Sequence, residues 1–195
     1  MPEGWQIRRL GEVCRIKPPK TEARSAVADD ALVSFLPMED LGIGCREAQP
    51  MKTRRLSEVS GSYTYFGEGD VLLAKITPCF ENGKLGIARG LSKGIGFGSS
   101  EYIVLRPRDN LDPAFLYYFL DRQAFRDEGA RLMTGAVGHK RVPKEFVEEY
   151  PLPVPPLPEQ IGDGSPIEHR FEADLTRFRR SIPPRARRRF WFHRF

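Results

Sequence analysis

Four short apolar runs set the first reading of the chain. "ALVSFL" (31–36), "DVLLAKIT" (70–77), "KLGIARG" (84–90) and "SEYIVLRP" (100–107) are each a handful of residues long and bounded by Gly, Pro, Asp or Asn. Runs of that length and punctuation predict strands. The first ends at Pro37. Asn82-Gly83, between the second and third, is a turn signal. The glycine-rich "SKGIGFGSS" (92–100) reads as a loop. Residues 46–66, "REAQPMKTRRLSEVSGSYTYF", keep no sustained period and predict a long loop with one short helical piece near Leu56–Val59.

The pattern then changes. "NLDPAFLYYFLDRQAFRDEG" (110–129) carries Phe115, Leu116, Phe119, Leu120 and Phe125 on one stripe and predicts a helix. Asp112 is the natural N-cap, Pro113 suits the first helical position, and Gly129 marks the stop. "VPKEFVEEY" (142–150) predicts a second, short helix led by Pro143. "PLPVPPLPEQ" (151–160) holds five prolines in ten residues and predicts an extended, polyproline-like strap. Short strands, long loops and few helices give an α/β (α+β) domain with an irregular mixed sheet and a capping helix near 112–128. The domain is expected over 1–158. Residues 159–195 form a divergent Arg-rich tail whose structure the sequence predicts poorly, with a helix expected over 166–181.

Charge sharpens that division. The chain of 195 residues has a net charge of +5. Residues 1–160 hold 22 basic and 22 acidic side chains, whereas 161–195 hold nine Arg, no Lys and four acids. The whole excess therefore lies in the tail. A body that binds a polyanion must gather its cations on one face. No apolar run approaches a membrane span and the start lacks a signal-peptide core, so a cytoplasmic protein is expected. Cys14, Cys45 and Cys79 form no C-x-x-C pair, so neither a disulfide framework nor a zinc site is indicated.

Several segments together resemble one family. "GWQIRRLGEVCRI" (4–16), "GDVLLAKITPCFENGKLGIA" (69–88), "GSSEYIVLRP" (98–107), "LDPAFLYYFL" (111–120), "GAVGHKRVP" (135–143) and "YPLPVPPLPEQ" (150–160) resemble a target-recognition domain of type I restriction-modification specificity subunits, in order and spacing. The resemblance covers roughly residues 4–160. It implies a non-catalytic domain that reads half of a split site in double-stranded DNA. It also implies docking to modification (methyltransferase) subunits, which bind S-adenosylmethionine, and through them to restriction subunits. The chain itself is expected to hold no cofactor and no metal. Complete specificity subunits carry two such domains joined by long helices; this sequence has one, and self-pairing of two chains stays open. After Gln160, Gly162, Gly164 and Pro166 interrupt the helix that the family continues into. The lysine-free tail motivates the expectation that a frameshift replaced that helix.

Duplex reading needs phosphate clamps for register and a few side chains at base edges. Three segments are rich in these types. The first contains Lys52, Arg54 and Arg55, with Ser60, Ser62, Tyr63 and Tyr65 nearby. The second contains Lys75, Thr77, Asn82 and Lys84. The third contains Arg131, Thr134, His139, Lys140 and Arg141, with Gly135 and Gly138 allowing close backbone approach. The 92–100 segment is a weaker fourth. Other readings of the same residues are a solvated loop for the first and a helix-to-helix linker for the third. A Cys79–His139 dyad has only residue type in its favour; Cys79 beside a strand reads as a packed thiol. No methyltransferase motif or convergent acid set appears. The alternative function is an interaction protein that holds the modification subunit without reading DNA.

Overall fold

The computed structural model describes residues 3–161. The elements run β1 (Gln6–Arg9), α1 (Leu10–Val13), β2 (Cys14–Ile16), α2 (Thr21–Ala26), β3 (Leu32–Leu36), β4 (Glu47–Ala48), β5 (Lys52–Arg55), α3 (Leu56–Val59) and β6 (Thr64–Gly67). They continue with β7 (Val71–Ala74), β8 (Leu85–Ala88), β9 (Ile95–Gly98), β10 (Tyr102–Pro107), α4 (Pro113–Leu120), α5 (Gln123–Arg131), α6 (Lys144–Glu149), β11 (Pro151–Val154) and α7 (Leu157–Ile161). A five-stranded sheet has the order β2-β10-β7-β8-β4, a four-stranded sheet the order β5-β3-β9-β6, and β1 pairs with β11 in a separate ribbon. The large sheets are mixed: β3–β9 and β4–β8 are parallel, and the other pairs are antiparallel.

The alternation of side chains explains why the runs at 70–77, 84–90 and 100–107 are apolar throughout. In β7, Val71 and Leu73 join the core under the helices, while Leu72 and Ala74 join a second core against the other sheet. In β10, Ile103 and Leu105 face the first core, Tyr102 and Val104 the second. Both faces of this sheet are covered, which removes the polar half of the strand pattern. The four-stranded sheet behaves alike. Phe66 and Leu36 point into the shared core, and Val33, Phe35, Tyr65, Ile95 and Phe97 pack under α2 and α3. The order of layers is therefore helices α4–α6, five-stranded sheet, four-stranded sheet, and the short α2 and α3.

Polar ties cross these layers. Asp70, wholly buried, accepts from Arg106 Nε (2.7 Å) and Nη2 (2.8 Å) and from the Gly67 amide (2.7 Å). The same guanidinium donates to Glu22 of α2 and lies 5.8 Å from the Tyr65 ring centre. One arginine of β10 thus binds the five-stranded sheet to β6 and α2. At the chain's entry and exit, Trp5 Nε1 donates to Glu159 (2.9 Å). Buried Gln160 donates to the Asn110 and Pro155 carbonyls and accepts from the Asp112 amide, each at 2.8 Å. Asp112 in turn caps α4 by accepting from the Ala114 and Phe115 amides.

Four sequence expectations need correction. The 46–66 segment is not a long loop: it contains β4, β5 and the start of β6, and only its helical piece, α3, matches. The glycine-rich 92–100 segment supplies β9, an inner strand of its sheet. Gly96 and Gly98 occur there because a Cβ would lie 2.1 Å from Phe66 Cε2 and 2.2 Å from the Leu36 carbonyl oxygen, respectively. The helix expected over 110–129 is two helices. Arg122 is extended between them, and Arg126 bonds the Asp121 carbonyl left open at the break (2.7 Å). Gly129 does not stop the helix; it is buried inside α5, where a Cβ would lie 2.4 Å from Phe80 Cζ. The proline strap is extended as expected, but it is a paired strand followed by a helical turn. The helix expected over 166–181 lies outside the described residues.

Candidate nucleic-acid interface

The 75–84 segment carries both polar and core residues. Phe80 is fully buried and meets Phe125 at 5.8 Å between ring centres, so it anchors the loop under α5. Backbone bonds Phe80 N to Ile76 O (3.0 Å), Asn82 N to Pro78 O (2.9 Å) and Lys84 N to Cys79 O (2.9 Å) coil the chain around that anchor. Gly83 closes the coil at φ +74°, a left-handed conformation that favours glycine. Asn82 is exposed at the outer side of the loop, and Thr77 Oγ1 is bonded to Glu81. Cys79 is half-buried against the core between the sheets. His139 is exposed on a different segment, the 134–141 excursion.

That excursion is stitched to the loop. Thr134 and Arg141 exchange backbone hydrogen bonds of 3.1 and 2.8 Å, which makes a short hairpin. The Thr77 amide donates to the Lys140 carbonyl, and the Val142 amide to the Lys75 carbonyl, both at 2.9 Å. Lys75 in turn donates its amide to Glu101 O (2.9 Å). Segments distant in sequence thus bring Lys75, Thr77, Thr134, His139, Lys140 and Arg141 together. Their organiser is an acid that the sequence reading missed. Glu101 accepts a bidentate pair from Arg141, Nε at 2.9 Å and Nη2 at 2.8 Å, and lies 3.9 Å from Lys75 Nζ. Hydrogen bonding to Arg141 holds the Glu101 carboxyl below the usual range against the opposing effect of burial; Lys75 and His139 add to the lowering. Arg141 also donates to the His139 carbonyl (2.9 Å), so its fork is committed within the protein. The Lys140 side chain is exposed and makes no hydrogen bond or ion pair among the described residues.

The other end of the loop reaches the first basic cluster. Lys84 Nζ donates to the Met38 carbonyl (2.7 Å), and Lys52 Nζ lies 2.7 Å from Asp40 of the same turn. Tyr102 fixes that turn further by donating to the Pro37 carbonyl (3.0 Å). A continuous run results, from the 134–141 hairpin through the 77–84 loop and the 38–40 turn to β5. Lys52 to Arg55 are all exposed, and the Arg54 guanidinium sits 5.8 Å from the Phe35 ring centre. Arg131 is exposed in the last turn of α5, where a cation suits the helix dipole. The fourth, weaker segment at 92–100 is accounted for by strand packing. The sequence signal for Glu101 was only its position, one acid directly ahead of an apolar strand.

No helix among the described residues is long and apolar enough to cross a membrane. A family model described as the type I restriction modification DNA specificity domain matches residues 2–171. The chain is 39% identical over 161 residues to the EcoEI type I restriction enzyme specificity subunit of Escherichia coli, covering 82% of this chain and 26% of that protein. It is 38% identical over 162 residues to the EcoAI specificity subunit of the same species, covering 82% and 27%. The chain thus spans about a quarter of the length of these relatives. Among solved structures, the HsdS subunit from Thermoanaerobacter tengcongensis aligns with a TM-score of 0.64 at 20% identity, over 96% of this chain and 46% of that one. A chain from a type I R-M system, in a study of complex assembly and conformational transition, aligns with a TM-score of 0.56 at 24% identity, over 92% and 39%. The irregular mixed-sheet domain expected from the sequence is thus the fold of these neighbours. By the extent of the family match and the identity to both E. coli subunits, this chain belongs to the type I restriction-modification DNA specificity family.

Proposed function

We propose that this chain reads one half-site of duplex DNA and presents it to modification subunits, and through them to restriction subunits, without catalysing a reaction itself. The carrying observation is the convergence of the 134–141 hairpin, the 77–84 loop, the 38–40 turn and β5 into one run in a chain whose body has no net charge. Loops rooted on strands and pinned by backbone bonds can hold a side chain at a base edge with little loss of freedom on binding. Lys140, Arg54, Arg55 and Arg131 supply phosphate contacts. Asn82, exposed, supplies a donor and an acceptor that distinguish base edges, and Thr77, whose O–H is given to Glu81, supplies at most an acceptor. Lys52, Lys75, Lys84 and Arg141 hold the run together through Asp40, Ser100, Met38 and Glu101.

The second reading is an interaction protein that holds a modification subunit without reading sequence. The internal commitment of those four cations favours it, because each one leaves fewer free charges for phosphate. Selection from a random duplex pool, using the full chain with and without a modification subunit, separates the two. Enrichment of one short motif supports half-site reading; an unenriched pool in both arms supports the second reading. In that assay Lys140→Ala should weaken binding to every duplex, and Asn82→Ala should change which sequence is enriched.

A further inference from the structure

We infer that Val137 is an apolar wedge that enters and partly unstacks one base step of the bound duplex. The inference rests on the half-site reading above and names a residue that shapes the DNA. Val137 is 93% exposed at the tip of the 134–141 hairpin. Single exposed apolar residues are ordinary on protein surfaces. Three features set this one apart.

The first is the tip itself. Between Thr134 and His139 the only side chains are the Ala136 methyl and the Val137 isopropyl group, flanked by Gly135 and Gly138. Both glycines have positive φ, +125° and +79°. A Cβ on Gly135 would lie 2.8 Å from the His139 carbonyl oxygen, so the turn is closed as tightly as a bare backbone allows. The result is a narrow projection whose two tip side chains, Ala136 and Val137, are both apolar. The second is its root. The mutual Thr134–Arg141 bonds, Thr77 N to Lys140 O, Val142 N to Lys75 O and the Arg141–Glu101 fork hold the hairpin at its base. A wedge needs such a base, because unstacking must be opposed by a rigid body rather than absorbed by the loop. The third is charge. Residues 129–143 contain no acid, and of their cations Lys140 and Arg131 are exposed, while Arg141 is paired with Glu101. An apolar tip beside free cations suits a site where phosphates flank an apolar base stack. Side chains of this kind insert at base steps and kink the duplex.

The test uses the full chain with a modification subunit, on the duplex enriched by selection, with 2-aminopurine placed at each position in turn. The native protein should brighten the probe at one step. Val137→Ser should lose that brightening at full occupancy and bind about tenfold more weakly. Val137→Leu should keep it. Lys140→Ala should need more protein to saturate but brighten the same step. The thermal transition of Val137→Ser should match the native one, since the side chain packs on nothing. Brightening that persists in Val137→Ser belongs to another event and overturns the wedge. Binding of the enriched duplex with no brightened step overturns the wedge alone, whereas a pool without enrichment overturns both the wedge and the half-site reading.

Discussion

Replacing Glu101 by glutamine uncovers a cation on the proposed DNA face without adding one. In the native protein both carboxylate oxygens bind the Arg141 fork, at 2.9 and 2.8 Å, so Arg141 contributes almost no field beyond the pair. The amide of Glu101→Gln keeps an acceptor for one arm and removes the opposing charge. Each additional phosphate neutralised steepens the fall of log Kobs with log salt by about 0.9. Over a fourfold rise in salt, from about 50 to 200 mM, the variant should therefore lose ~3.5-fold more affinity than the native protein. It should also bind more tightly at the low-salt end. Fluorescence anisotropy with a labelled duplex of arbitrary sequence reads both quantities, because phosphate contacts carry no sequence information. An unchanged slope with unchanged affinity would falsify the placement of Arg141 against phosphate. Weaker binding at every salt concentration, with a lowered thermal transition, would show instead that the hairpin's loss of half its fork outweighs the uncovered charge, and would refute the masking argument.

The same pair has a defined pH window. Glu101 has a lowered carboxyl pKa in the folded chain, so the pair's contribution to stability is complete above the unfolded carboxyl value of about 4.3. It is lost as pH falls through the lower, folded value. Between about pH 6 and 8 the salt slope should consequently not move on account of this pair, a range in which both partners keep their charge.

Three further predictions concern the scaffold. Phe80→Ala should destabilise the chain by about 3–5 kcal/mol in urea titration, because it empties a fully buried ring position under α5 and frees the 77–84 loop; a loss under about 1 kcal/mol would mean that the loop has another anchor. Arg106→Leu should cost about 3–5 kcal/mol by leaving the Asp70 carboxylate buried with only the Gly67 amide, and adding Asp70→Leu to that variant should recover stability; a double variant no better than the single one would refute the pairing argument. Gln160→Leu should cost about 1–3 kcal/mol, read by thermal unfolding, since it strips partners from the Asn110 and Pro155 carbonyls and the Asp112 amide; an unchanged transition would show that other groups or water serve those atoms.

What the sequence made legible follows from where the burial is. The runs at 70–77, 84–90 and 100–107 read as strands because both faces of the five-stranded sheet are covered, and continuous apolarity survives in the sequence. Asp112 could be read as a cap because its bonds go to amides two and three residues away. The break after α4 was also written there. Phe125 is five residues past Leu120, a spacing that no single helical face accommodates, so one stripe cannot hold both. The missed strands have a different cause. In β5 all four residues are exposed, so no apolar pattern marks the strand; pairing with β3 creates it. In β9, Gly96 and Gly98 take the places where side chains would signal a strand, because Phe66 and Leu36 occupy that space. Strands specified by their neighbours leave little trace in their own segment.

The candidate site divides the same way. Its cations stood out by type, yet type does not say which of them is free. Lys84 and Arg141 were indistinguishable from Lys140 in the sequence. Their partners, the Met38 carbonyl and Glu101, lie 46 and 40 residues away along the chain. Those long-range commitments separate a positively charged residue that builds the surface from one that can bind a ligand. For a loop-borne reader this separation carries the functional content. The building cations should tolerate replacement only by residues that keep the internal bond, and Arg141→Lys, which cannot reproduce a two-armed fork, should disturb the hairpin where Lys140→Arg does not. Protection of the hairpin amides against hydrogen exchange distinguishes the two variants, and equal protection in both would show that the fork is dispensable.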